Sequence, residues 1–246
     1  MNWKLKQIAV VLLIVMVCLS CHRQEHAPHH LIILVDISAS IEPDAQKEVL
    51  KGIQGLAARL ERGDCMTIIP INGDATTESS GRILRLERPA LREVFDADQK
   101  RFQDQAAQSL ETFATEQLRH PGARTDILGA LRVAAEEARS EPRQTTIIVL
   151  SDFIEDDGEL NFNTDERLAS TTRAESLAQS MVVKNHSRFL GAQVVLGLLR
   201  SKDLGGLSRS RREAIEAFWL RFCSRSGANA HLVTDGIGAI NEKSLL

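Results

Sequence analysis

Leu31-Ile32-Ile33-Leu34-Val35-Asp36-Ile37-Ser38-Ala39-Ser40 is the stretch from which the fold is read. Its apolar run, Leu31 to Val35, does not alternate with polar residues, and it stops at a carboxylate. A strand with one wet face alternates; a strand covered on both faces does not, and such strands belong to parallel sheets flanked by helices. The pattern repeats. Thr145 to Leu150 is a second uninterrupted run, closed by Ser151-Asp152, and Met66 to Ile71 and Gln193 to Leu199 are two more. Arg82 to Leu86 alternates, as an edge strand does, and Ala230 to Thr234 makes a short last strand.

The segments between these strands have helical spacing. Pro43 sits where a helix starts, beside Glu42 and Asp44, and Ala45, Val49, Ile53, Leu56, Ala57 and Leu60 follow on one face up to Gly63. Residues 90 to 118, 127 to 138, about 165 to 186 and about 209 to 225 read as further helices. Strands separated by helices imply right-handed crossovers. The expectation is one doubly wound α/β domain over residues 31 to 246, with a mostly parallel central sheet and helices on both faces.

Composition narrows the function. The chain has 246 residues, 43% of them hydrophobic, with 30 basic against 33 acidic side chains and no tyrosine. This balance exerts no global pull on nucleic acid, and with aromatics at 4% base stacking has few platforms. The turn from Ile37 to Ile41 has no glycine, and no phosphate-binding loop or nucleophile elbow occurs, so no nucleotide is expected either.

Residues 1 to 20 read as a leader, with Lys4 and Lys6 ahead of the apolar run Ile8 to Leu19. Leu19-Ser20-Cys21 resembles the lipobox of bacterial lipoproteins, which implies lipidation of Cys21 and a membrane anchor in the cell envelope, with ordinary cleavage without lipid or an uncleaved anchor as the alternatives. His22 after the cysteine, instead of Asp, points to the outer membrane. Loss of the leader leaves 28 basic side chains against 33 acidic, a formal charge of −5. Residues 21 to 30 hold four of the seven histidines and read as a solvated tether, with soft-metal binding as the alternative.

The chemistry gathers where strands end, the edge at which open α/β sheets bind ligands. Alternate residues of an extended segment point the same way, so Asp36, Ser38 and Ser40 can converge. Thr125 precedes one helix, and Asp152 ends the strongest strand. Hydroxyls and carboxylates are hard ligands suited to Mg²⁺. In order, spacing and placement, Asp36-x-Ser38-x-Ser40, Thr125 and Asp152 resemble the metal-ion-dependent adhesion site of the von Willebrand factor A domain. Ala123-Arg124 departs from the small residues usual before that threonine. The resemblance implies Mg²⁺, with Mn²⁺ or Ca²⁺ as substitutes, held by Ser38 and Ser40 directly, by Thr125 directly or through water, and by the two aspartates through water. It also implies a protein partner that offers an Asp or Glu carboxylate.

Glu155, Asp156 and Asp157 follow at once and read either as a solvated loop or as an accessory acidic loop that raises cation affinity. Cys65 opens a strand and Cys223 nears the end of a helix, both at the edge opposite the metal, so a Cys65–Cys223 disulfide is expected. Two other functions compete with the adhesive module. One is an envelope scaffold with a structural metal. The other is a metal-dependent hydrolase built on Asp36, Asp126, Asp152 and Asp156, although no histidine is placed as its base.

Overall fold

The computed structural model describes residues 27–73, 83–119, 124–140, 143–234 and 237. The leader, Cys21 and most of the His-rich segment lie outside the described residues. Six strands form one sheet: β1 (His29–Asp36), β2 (Cys65–Ile71), β3 (Leu84–Glu87), β4 (Gln144–Ser151), β5 (Gln193–Leu198) and β6 (Asn229–Val233). Their spatial order is β3-β2-β1-β4-β5-β6, with every neighbouring pair parallel except β2 and β3. The order reverses at β1, so consecutive crossovers lay helices on opposite faces. This is the doubly wound, mostly parallel α/β arrangement expected from the sequence.

The period of the strands divides the core in two. Ile32 and Leu34 of β1 point to one face, with Ile147 and Val149 of β4. That face is covered by α3 (Ile127–Ser140), α4 (Thr171–Asn185) and α6 (Arg209–Arg225). Leu31, Ile33 and Val35 point to the other, with Ile148 and Leu150, beneath α1 (Pro43–Ala58) and α2 (Arg92–Arg119). α2 is polar over most of its length and buries Phe102, Ala106, Leu110 and Phe113, the spacing of a single helical face. A short helix, α5 (Lys202–Gly206), follows β5.

Several boundaries differ from expectation. β1 begins at His29, inside the segment read as a tether. His30 is fully buried, with its Nε2 2.8 Å from Thr67 Oγ1, and His29 Nε2 lies 3.1 Å from Thr146 Oγ1. Each hydroxyl meets the Nε2 of one ring and helps two polar residues extend an apolar strand. The helix expected over 165 to 186 is two pieces, a 3-10 turn at Glu166–Ala169 and α4, divided where Ser170 is extended.

The expected disulfide is absent, because Cys65 and Cys223 are both free and buried. Each lies at the predicted edge, but α6 packs on β6, and β1, β4 and β5 stand between β2 and β6. At about 4.8 Å per strand, that separation exceeds the roughly 7 Å that a disulfide spans between Cα atoms. Burial pushes both thiols up, Cys223 to about 12. Among the described residues, no helix is long and apolar enough to cross a membrane.

Candidate metal centre

Asp36 is the last residue of β1, and the turn beyond it folds back on its side chain: the Ser38 amide donates to Asp36 Oδ1 at 2.9 Å. This local bond brings Ser38 and Ser40 to the same side, with their hydroxyl oxygens 2.9 Å apart. Ser40 Oγ donates in turn to Asp152 Oδ2 at 3.3 Å, one residue beyond the end of β4. Four of the five residues predicted from the sequence are therefore linked through three consecutive contacts. Thr125, the fifth, is buried on the adjacent loop. Its backbone forms a two-way ladder with Asp156, and the amide of Asp126 donates to the carbonyl of Asn72, just past β2. Loops after β1, β2 and β4 thus meet at one edge.

The loop after β5 joins them. Ile41 forms an isolated bridge with Ser201, and the amide of Lys202 donates to the Ser40 carbonyl. Ser201 also hydrogen-bonds the Asp152 carboxylate. Ser151 completes the cage from beneath, donating to Asp36 Oδ2 at 2.6 Å and accepting from the Phe153 amide at 2.9 Å. Ser151 and Ser201 escaped the sequence reading as site residues. The first was legible only by its adjacency to Asp152, the second only by its position past the end of a buried strand.

Electrostatics explain why these oxygens want a cation. Burial, and then the charge of Asp152, push the Asp36 carboxyl up to about 6, against hydrogen bonds that favour ionisation. Burial likewise raises Asp152. Two buried carboxylates and two hydroxyls form an all-oxygen donor set without imidazole or thiol. Such a set fits a hard divalent cation and not zinc or copper.

The acidic segment 155–159 is not a solvated loop throughout. Glu155 is fully buried, and its Oε2 accepts from the amides of Ile127 and Leu128 at 3.0 and 3.3 Å. It supplies, from another loop, an acceptor for the first amides of α3, whose own first turn holds no acidic residue. Burial first, then the charges of Asp126 and Asp157, raise its carboxyl well above the ordinary range. Asp156 contributes its backbone to the Thr125 ladder. Asp157 Oδ1 accepts from the Glu159 and Leu160 amides, and exposed Glu159 pairs with Lys184. Asp126 Oδ1 accepts from the Gly129 amide at 2.6 Å. Any Cβ at Gly129 would strike that carboxylate.

No protein-family model matches the sequence, and no curated protein matches it. Solved structures do. A von Willebrand factor type A protein from Catenulispora acidiphila aligns over 89% of this chain and 41% of its own, at 14% identity and a TM-score of 0.41. The pilus adhesin SpaC of Lactobacillus rhamnosus GG, in its open conformation, aligns over 90% and 30%, at 13% identity and a TM-score of 0.45. The manganese-loaded TRAP protein of Plasmodium vivax aligns over 80% and 74%, at 16% identity and a TM-score of 0.36. The chain thus spans less than half of the Catenulispora and Lactobacillus proteins. At these identities and TM-scores, none of the likenesses assigns a role to a residue here.

Proposed function

We propose that residues 31 to 246 form a von Willebrand factor A-like module that binds protein partners through a divalent cation, Mg²⁺ foremost. Asp36, Ser38, Ser40, Thr125 and Asp152 would hold it. The observation that carries this reading is the linked set Asp36–Ser38–Ser40–Asp152 at the carboxyl edge of β1 and β4. A bound Mg²⁺ would supply an electrophilic position open to one outside oxygen, the chemistry that selects an Asp or Glu carboxylate. The chain's own part is to fix the donors. Ser151 orients Asp36, and Ser201 and the Ile154 amide orient Asp152, the latter at 3.0 Å from Oδ1. The Ile41–Ser201 bridge ties the serine loop to the end of β5. A leader at 1 to 20 and a lipid on Cys21 would place the module on the outer membrane, facing the periplasm. The reading is of a binding module and not an enzyme.

The test presents Asp- and Glu-bearing peptides and envelope extract to the protein, with Mg²⁺ or with chelator. Retention of acidic peptides that needs the metal, and that vanishes in Ser38→Ala, is the expected result. Equal retention under chelation would favour the scaffold reading, and turnover of a phosphoester panel the hydrolase.

A further inference from the structure

Beside the serine-lined set lies a group of acids that it does not use. Asp126, Glu155 and Asp157 each present a carboxylate oxygen, and the three oxygens lie within 4.8 Å of one another. Most acidic clusters are only solvated faces, but one member here is not solvated at all. Glu155 is fully buried, and while its Oε2 is occupied by two amides of α3, its Oε1 is enclosed without any hydrogen-bond partner. An orphaned carboxylate oxygen in the interior is costly unless something positive meets it. The largest charge effects on it come from Asp126 and Asp157, both acidic, with the Arg124 guanidinium beside neighbouring Gly158.

We propose that Asp126, Glu155 and Asp157 form a second cation site, separate from Asp36, Ser38, Ser40 and Asp152, that takes a single Ca²⁺. Calcium accepts six to eight oxygens at 2.3–2.6 Å in flexible geometry, so its ligands lie up to about 5 Å apart. Three oxygens within 4.8 Å of one another fall inside that span, and a cage of carboxylates suits Ca²⁺ better than Mg²⁺, which keeps several of its waters and demands a strict octahedron. Backbone amides already hold one oxygen of each carboxylate: Gly129 on Asp126, Ile127 and Leu128 on Glu155, Glu159 and Leu160 on Asp157. These bonds orient the side chains before any ion arrives. The ion would join the loop that carries Thr125 to the loop that leaves β4, in register with the Thr125–Asp156 ladder. The site stands on its own residues and does not depend on the Mg²⁺ reading.

Calorimetric titration of the metal-stripped full chain with Ca²⁺ tests it, in the parent, Glu155→Gln, Asp157→Asn and Ser38→Ala. Both amide variants keep an acceptor oxygen for the capping amides, and circular dichroism checks that they fold. The expected result is a Ca²⁺ event retained in Ser38→Ala and weakened roughly tenfold or more in Glu155→Gln and Asp157→Asn. Mg²⁺ titrations of the same variants report the serine-lined site separately, so failure of one site is distinguishable from failure of the other. Absence of Ca²⁺ binding in the parent, its loss in Ser38→Ala, or unchanged affinity in both amide variants would overturn the proposal.

Discussion

Ser151 shows how much of the candidate centre rests on groups that no spacing rule picks out. Its hydroxyl is fully buried, donates to Asp36 and receives the amide of Phe153. Ser151→Ala removes both bonds and leaves a buried carboxylate and a buried amide short of a partner. Urea unfolding should show a loss of about 1–3 kcal/mol. The two cysteines make the opposite case, since a sequence argument placed them at the right edge, but the strand and the helix that carry them lie too far apart to bridge. Neutral thiols stabilise the folded chain below their ordinary pKa. That contribution is lost as pH rises, for Cys223 through about 12. At pH 8, about one Cys223 side chain in ten thousand is then thiolate. A thiol reagent at that pH should find neither Cys65 nor Cys223 in the native protein, and both once it is unfolded without reductant.

At the scale of elements, the turn after β4 carries the strain of the site. Phe153 adopts a left-handed backbone, φ 63°, immediately after Asp152. A bulky residue holds that conformation only when its surroundings fix it. Here Trp219 of α6 donates its indole N–H to the Phe153 carbonyl at 2.9 Å, within a cluster of Phe162, Phe218 and Phe222. Trp219→Phe keeps most of the apolar volume and deletes that bond. It should cost about 1–3 kcal/mol in unfolding free energy, and it should weaken Mg²⁺ binding, because Asp152 adjoins the released turn. The elements themselves were legible where one physical cause dominates. β1 and β4 are apolar on both faces, and α1 shows a clean stripe after Pro43. The break at Ser170 was not legible, nor was the cap on α3, because Glu155 reaches Ile127 from 28 residues away. A contact between loops leaves no local pattern.

Over the whole molecule, the strand order does the assembling. β1 and β4 are neighbours, so Asp36 and Asp152 emerge side by side although more than a hundred residues separate them. The sequence signalled the convergence through two apolar runs that each end on an acid, and a parallel register then makes it unavoidable. The second acid group was only half visible: Glu155 and Asp157 stood out as a charged run, while their partner Asp126 comes from the other loop. Metal should therefore act on global stability, since a ligand that binds only the folded chain raises its unfolding temperature by mass action. Millimolar Mg²⁺ is expected to raise the melting temperature of the stripped protein, and to raise that of Asp152→Asn much less. The most direct measurement is calorimetric titration of Mg²⁺ into stripped Glu155→Gln protein, with and without Ser40→Ala. One Mg²⁺ per chain, bound at least about tenfold more weakly after Ser40→Ala, is the predicted result. Equal affinity in the two proteins, or no Mg²⁺ binding in either, would contradict the account.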